Sequence, residues 1–74
     1  MKELDLVVLT RAVPEYGLEI DDVGTIVHLY PDSVAAEVEF VRADGQTVAV
    51  VTLETTSLRA FEGSEILHAR RLAS

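Results

Sequence analysis

Cysteine and tryptophan are absent from this 74-residue chain, and only two Tyr and two Phe occur. Without cysteine there is no disulfide, no thiolate nucleophile and no Cys-based zinc site. Basic residues are scarce as well: six Lys and Arg stand against thirteen Asp and Glu, a formal net charge of −7. A nucleic acid requires Lys and Arg along its phosphates, so this balance argues against such a partner and favours a basic one. No apolar run approaches the roughly 20 residues of a membrane span. No basic stretch followed by an apolar one opens the chain, as it would in a secretory signal. A soluble cytoplasmic protein is the expectation, with no membrane as partner.

With aromatics so few, the core has to be built from Val, Leu, Ile and Ala. Hydrophobic residues make up 49% and charged residues 26%, a globular composition. The length implies one domain near the lower end of what folds unaided. A core that small leaves a thin margin, and association into a homo-oligomer is a common remedy.

Turn signals divide the chain into short strands. "LDLVVLT" (Leu4 to Thr10) reads as a buried strand. Pro14 and Gly17 then break the pattern, so Arg11 to Asp22 is expected to be a long loop. Within it Leu18 and Ile20 are expected to fold under as apolar anchors, with Glu15, Glu19, Asp21 and Asp22 wet. Val23 to Tyr30 is the second strand, and Gly24 inside it suggests a bulge or a close backbone approach. Val34 to Arg42 alternates with period two: Ala36, Val38 and Phe40 share one face, Glu37 and Glu39 the other. Asp44-Gly45 signals a hairpin, because both residues tolerate φ > 0. Gln46 to Glu54 is the return strand. "TTS" suits one 3₁₀ turn, and Leu58 to Phe61 a final strand. Five short strands separated by turns suit a small barrel. In the remaining "EGSEILHARRLAS", Ser64 is a plausible N-cap for a helix over Glu65 to Leu72, with a frayed tail or arm as the alternative.

These segments together resemble a bacterial family known only as domain of unknown function 4926. The resemblance rests on "PEYGL", "DDVGTIV", "EVEF", the Asp44-Gly45 pair, "TL" and "LR", spread over Leu4 to Phe61. Where the family pattern often has Gly before Asp-Val-Gly, this chain has Asp21. The resemblance implies a small five-stranded SH3-like barrel over residues 1–61 and leaves 62–74 as an appended helix or arm. It implies no established activity and no cofactor.

The residue types for chemistry are present but not arranged for it. Glu19, Asp21 and Asp22 lack the alternate spacing and closing bidentate carboxylate of a calcium loop, so a solvated turn accounts for them. His28 and His68 are candidates for a general base, yet Ser33, Ser57 and Ser64 sit at turns or caps and no triad motif joins them. No catalytic, metal or cofactor residue is therefore assigned, and the chain is expected not to be an enzyme. Glu37 and Glu39, with Asp5 and Glu54, form an acidic stripe that reads first as a wet face guarding the sheet.

The tail differs from the barrel. Met1 to Ala60 carries eleven of the thirteen acidic residues and four of the six basic ones. Ile66, Leu67 and Leu72 find no place inside five completed strands, so they are expected to bury on an open barrel end or on another copy. The function read from all this is a non-catalytic protein-binding module. Its candidate contact residues are Glu15, Tyr16, Glu19, Asp21 and Asp22 in the loop, with Ile66, Leu67 and Leu72 in the tail. The alternative is an antitoxin-like or immunity-like protein covering a basic site on a partner enzyme.

Overall fold

A computed structural model describes residues 1–72 of the chain. The described residues form five strands: β1 (Leu6–Leu9), β2 (Val23–Leu29), β3 (Ala35–Val41), β4 (Thr47–Glu54) and β5 (Leu58–Ala60). They form one antiparallel sheet in the order β4-β3-β2-β1-β5. Single 3₁₀ turns lie at Pro14–Tyr16, Pro31–Ser33 and Thr55–Ser57. This all-β arrangement fits an SH3-like fold. Among the described residues no ladder joins β4 to β5, so the barrel is not closed by hydrogen bonds.

Period-two patterning sets the core. Ala36, Val38 and Phe40 point inward from β3 and meet Leu53, Val51 and Ala49 across the β4 ladder. Ile26, Val7, Leu9 and Leu58 complete the cluster, and Val13 and Leu18 close one end of it. Burying each large aliphatic side chain contributes about 1.5–3 kcal/mol, so a core without tryptophan is sufficient here.

Gly24 lies in β2 opposite Val7, without a bulge. A Cβ built there would sit 2.6 Å from Val38 Cγ1 and 2.8 Å from Phe40 Cε1, so the close approach is real. The bulge of β2 lies instead between Ile26 and His28, leaving Val27 without a cross-strand partner. A second irregularity separates Phe40 from Val41 and leaves Val48 of β4 unpaired. The β3–β4 hairpin forms where Asp44-Gly45 signals it, with only one of the two residues left-handed. Gly45 has φ +87°, but Asp44 is not left-handed. The Gly45 N–H donates to the Arg42 carbonyl at 2.9 Å, and the Arg42 N–H to the Gln46 carbonyl at 2.8 Å. This is a longer loop with one left-handed glycine, the next commonest hairpin connection after the two-residue turn.

No helix forms over Glu65 to Leu72; the tail is an arm. Eight residues fall below the length at which an isolated helix repays its nucleation. Here Glu65 turns its carboxylate back onto the Glu62 N–H at 2.6 Å, closing a local turn instead.

Candidate functional site

The longest loop of the sheet is well braced. Val13 and Leu18 exchange backbone hydrogen bonds at 2.9 and 3.1 Å, and both side chains are buried. Gly17 closes the 3₁₀ turn at φ +70°, a conformation that needs no Cβ. At its far end the loop is sewn to β1: the Leu9 N–H donates to the Asp22 carbonyl and the Asp21 N–H to the Leu9 carbonyl, both at 2.9 Å. Arg11 Nε donates to the buried Ser57 Oγ at 2.7 Å, fixing the loop's start. Ile20, expected to anchor the loop, is 58% exposed; Val13 takes that place by pairing with Leu18.

Asp21 holds φ +76°. Glycine adopts this left-handed backbone more readily than any residue with a Cβ.

Asp22 is the centre of the site. Its Oδ2 accepts the Glu19 N–H at 2.8 Å, which closes the turn between them. Both of its oxygens also receive one guanidinium from the arm. Arg70 Nε donates to Oδ1 at 2.9 Å and Nη2 to Oδ2 at 2.6 Å. Nη2 also donates to the Gly17 carbonyl at 2.8 Å. Glu19 stands 3.6 Å from Nη1. The two side chains are only 19% and 14% exposed, so this bidentate pair is shielded from water on most sides. Burial pushes the Asp22 carboxyl up. The Arg70 guanidinium, the Glu19 N–H and the charge of His68 outweigh that and hold it below the ordinary carboxylate value. Hydrogen bonding to Asp22 raises Arg70 further above its ordinary value.

A second tie lies at the arm's start. Arg59 on β5 meets Glu65 at 2.7 Å, and Asp21 is 3.9 Å from the same guanidinium. The Glu62 N–H and Arg59 hold the Glu65 carboxyl below its ordinary value. The arm thus gives its acid to a base of the barrel and its base to an acid of the loop. Between the two ties Ile66 is 93% and Leu67 67% exposed. The expectation that they bury on the open end of their own barrel is not met. Polar contacts dock the arm, and the apolar pair between them faces outward.

The candidate contact residues are distributed unevenly. Asp21 and Ile66 line a shallow groove of about 260 Å³. Tyr16, Glu19 and Leu72 line another of about 410 Å³, together with Val48 of β4. Asp22 ties the arm itself, whereas Glu15 and Leu67 line neither groove. Sequence reasoning missed Arg70, Arg59, Glu65 and the Gly17 carbonyl. The available signal was charge: the tail holds two of only six basic residues, in a chain whose longest loop is acidic.

The acidic stripe of the outer sheet face is largely engaged within the molecule. Tyr30 Oη donates to Glu37 at 2.7 Å, which raises the Tyr30 phenol, and Thr47 Oγ1 donates to Glu39 at 2.7 Å. His28 packs edge-to-face on Tyr30 with ring centres 4.6 Å apart. Among the described residues no helix is long and apolar enough to cross a membrane.

The chain belongs to the family described as Domain of unknown function (DUF4926), whose model matches residues 3–60. The match ends where β5 ends, so the arm lies outside it. No curated protein and no solved structure matches the chain.

Proposed function

We propose that the protein is a non-catalytic protein-binding module, and that its docking site is the loop from Arg11 to Asp22. The observation that carries this reading is the Asp22 cradle. A segment outside the family domain lies across the domain's longest loop and is held there by one arginine. That contact defines the chemistry the loop accepts: a planar guanidinium taken by a carboxylate at both oxygens, with a backbone carbonyl as third acceptor. The partner presents an arginine on an extended segment, and loops of this kind are where such a fold places its contacts. Neither nucleic acid nor membrane fits so acidic a chain.

Nuclear magnetic resonance on the full chain tests this. In the Arg70→Gln variant the cradle loses its resident guanidinium. A short peptide with the sequence of His68–Leu72 should then shift the amides of Gly17 to Asp22. The same peptide with lysines for arginines should shift them far less, since an ammonium cannot make the paired contact. Adding Asp22→Asn should remove the response. Equal shifts for both peptides, or none, would refute the reading. The alternative, an antitoxin-like or immunity-like protein covering a basic site on a partner enzyme, draws on the same acidic barrel. It requires that a partner captured through Asp22 be an enzyme and that its activity fall on binding.

A further inference from the structure

The outer edge of β4 is a second surface, adjoining the loop groove at Val48, and its backbone fixes what it can take. The Thr55 N–H donates to the Val34 carbonyl at 3.0 Å, so that pair is a hydrogen-bonded one in the β3–β4 register. Hydrogen-bonded and non-bonded pairs alternate along an antiparallel ladder. Leu53, Val51 and Ala49 therefore direct their N–H and C=O groups at β3. Those of Glu54, Thr52 and Val50 point away from it. The other side of β3 agrees: the Tyr30 N–H donates to the Ala35 carbonyl at 3.0 Å, which turns Ala35, Glu37 and Glu39 toward β2 and leaves the even residues for β4. Among the described residues no backbone hydrogen bond reaches β4 from its outer side.

Edges of this kind are usually guarded by charge, proline or brevity. β5, the opposite edge, is three residues long and carries Arg59, tied to the arm. β4 has eight residues, and Gln46 to Leu53 contains no proline and no Asp, Glu, Lys or Arg. Val50 stands 50% exposed there, and Val41 on β3 is 54% exposed on the same face.

We infer that β4 pairs antiparallel with β4 of a second copy, joining two sheets across a two-fold axis. A strand edge needs a strand, and β4 of a second copy supplies one that is equally long and free of charge from Gln46 to Leu53. The chain carries −7, so most surfaces of two copies repel. A two-fold axis at Val50 sets Val50 against its own copy and Glu54 opposite Gln46. An axis at Thr52 sets Glu54 opposite Val50. Neither register brings two carboxylates together. The pairing follows from the β4 backbone and not from the Asp22 cradle, so it does not rest on the proposed function.

Sedimentation equilibrium and amide hydrogen exchange on the full chain test it. The mass should rise with concentration from one chain to two. Over the same range the amides of Val50, Thr52 and Glu54 should gain protection, while those of Ala49, Val51 and Leu53 are protected throughout. Val50→Pro removes an outward N–H that the single chain does not use, so it should stay at one-chain mass with a strand-type circular dichroism spectrum. A one-chain mass for the wild type at millimolar concentration overturns the inference. So does a dimer that survives Val50→Pro, or protection gained in the arm or loop instead of β4. If the proline variant does not fold, the exchange pattern alone decides.

Discussion

Gly24→Ala adds a single methyl group at the tightest point of the sheet. The built Cβ meets Val38 Cγ1 at 2.6 Å, Phe40 Cε1 at 2.8 Å and the Glu39 carbonyl oxygen at 3.1 Å. Carbon atoms in good contact stand about 3.5–4.0 Å apart, so roughly 1 Å of overlap has to be relieved. Val38 is fully buried and Phe40 nearly so, and Glu39 belongs to the backbone of β3, which is paired on both sides. None of the three yields freely. Overpacking of this kind costs about 1–3 kcal/mol. Alanine recovers about 0.5–1 kcal/mol, because glycine loses more freedom in a strand. The net expectation is a loss of about 1–2 kcal/mol. For a domain of this size that lowers Tm by roughly 5–15 °C, read by calorimetry or circular dichroism melts. The partner variant isolates the cause. Val38→Ala destabilises on its own by leaving a cavity, but it removes the nearest obstacle. The double variant should therefore lose less than the two single losses added together. An unchanged or raised Tm for Gly24→Ala, or strict additivity in the double variant, would refute the packing argument.

Asp21→Gly should raise stability by about 0.5 kcal/mol: it relieves a left-handed residue, partly offset by the greater freedom of glycine when unfolded. Urea denaturation checks the sign, and the long 3.9 Å contact to Arg59 is too exposed to reverse it. Asp22→Ala should cost more than Arg70→Ala, by about 0.5–1.5 kcal/mol, because Asp22 also accepts the Glu19 N–H inside the loop; equal losses would mean that this turn closes without it. Acid should undock the arm. The Asp22 carboxyl is held below its ordinary value of 3.8 in the folded chain, so its contribution is complete above that pH and fades as pH falls through the depressed value. Glu65, lowered from 4.5, acts in the same direction at the arm's start. Amide shifts of Glu65 to Arg71 followed downward from neutral pH should move before the core strands unfold; simultaneous movement would show that the arm is not a separate unit.

The strands were legible because their signals are local. Alternation along "AAEVEFV" decides which side of β3 is buried before any partner is known, since successive side chains must point to opposite faces. Pro14 and Gly17 open the loop, and "TTS" makes its 3₁₀ turn, for reasons contained in a few residues. The sequence alone therefore determined five short strands, their order along the chain and the inward face of β3, but it set Ile20 under the loop where Val13 stands. It also marked Gly24 as a place of close approach, though not which atoms approach, because Val38 and Phe40 lie a strand away. The bulges at Val27 and Val48 escaped, as a bulge is a mismatch between two strands and belongs to neither sequence by itself. The arm escaped most completely. Apolar Ile66 and Leu67 suggested burial, whereas the fold left them outside and seated Arg70 on Asp22, 48 residues earlier in the chain. No periodicity encodes that pairing. It arises only when the sheet brings the loop's end beside β5, and a half-buried carboxylate holding the Glu19 turn then finds a guanidinium within reach.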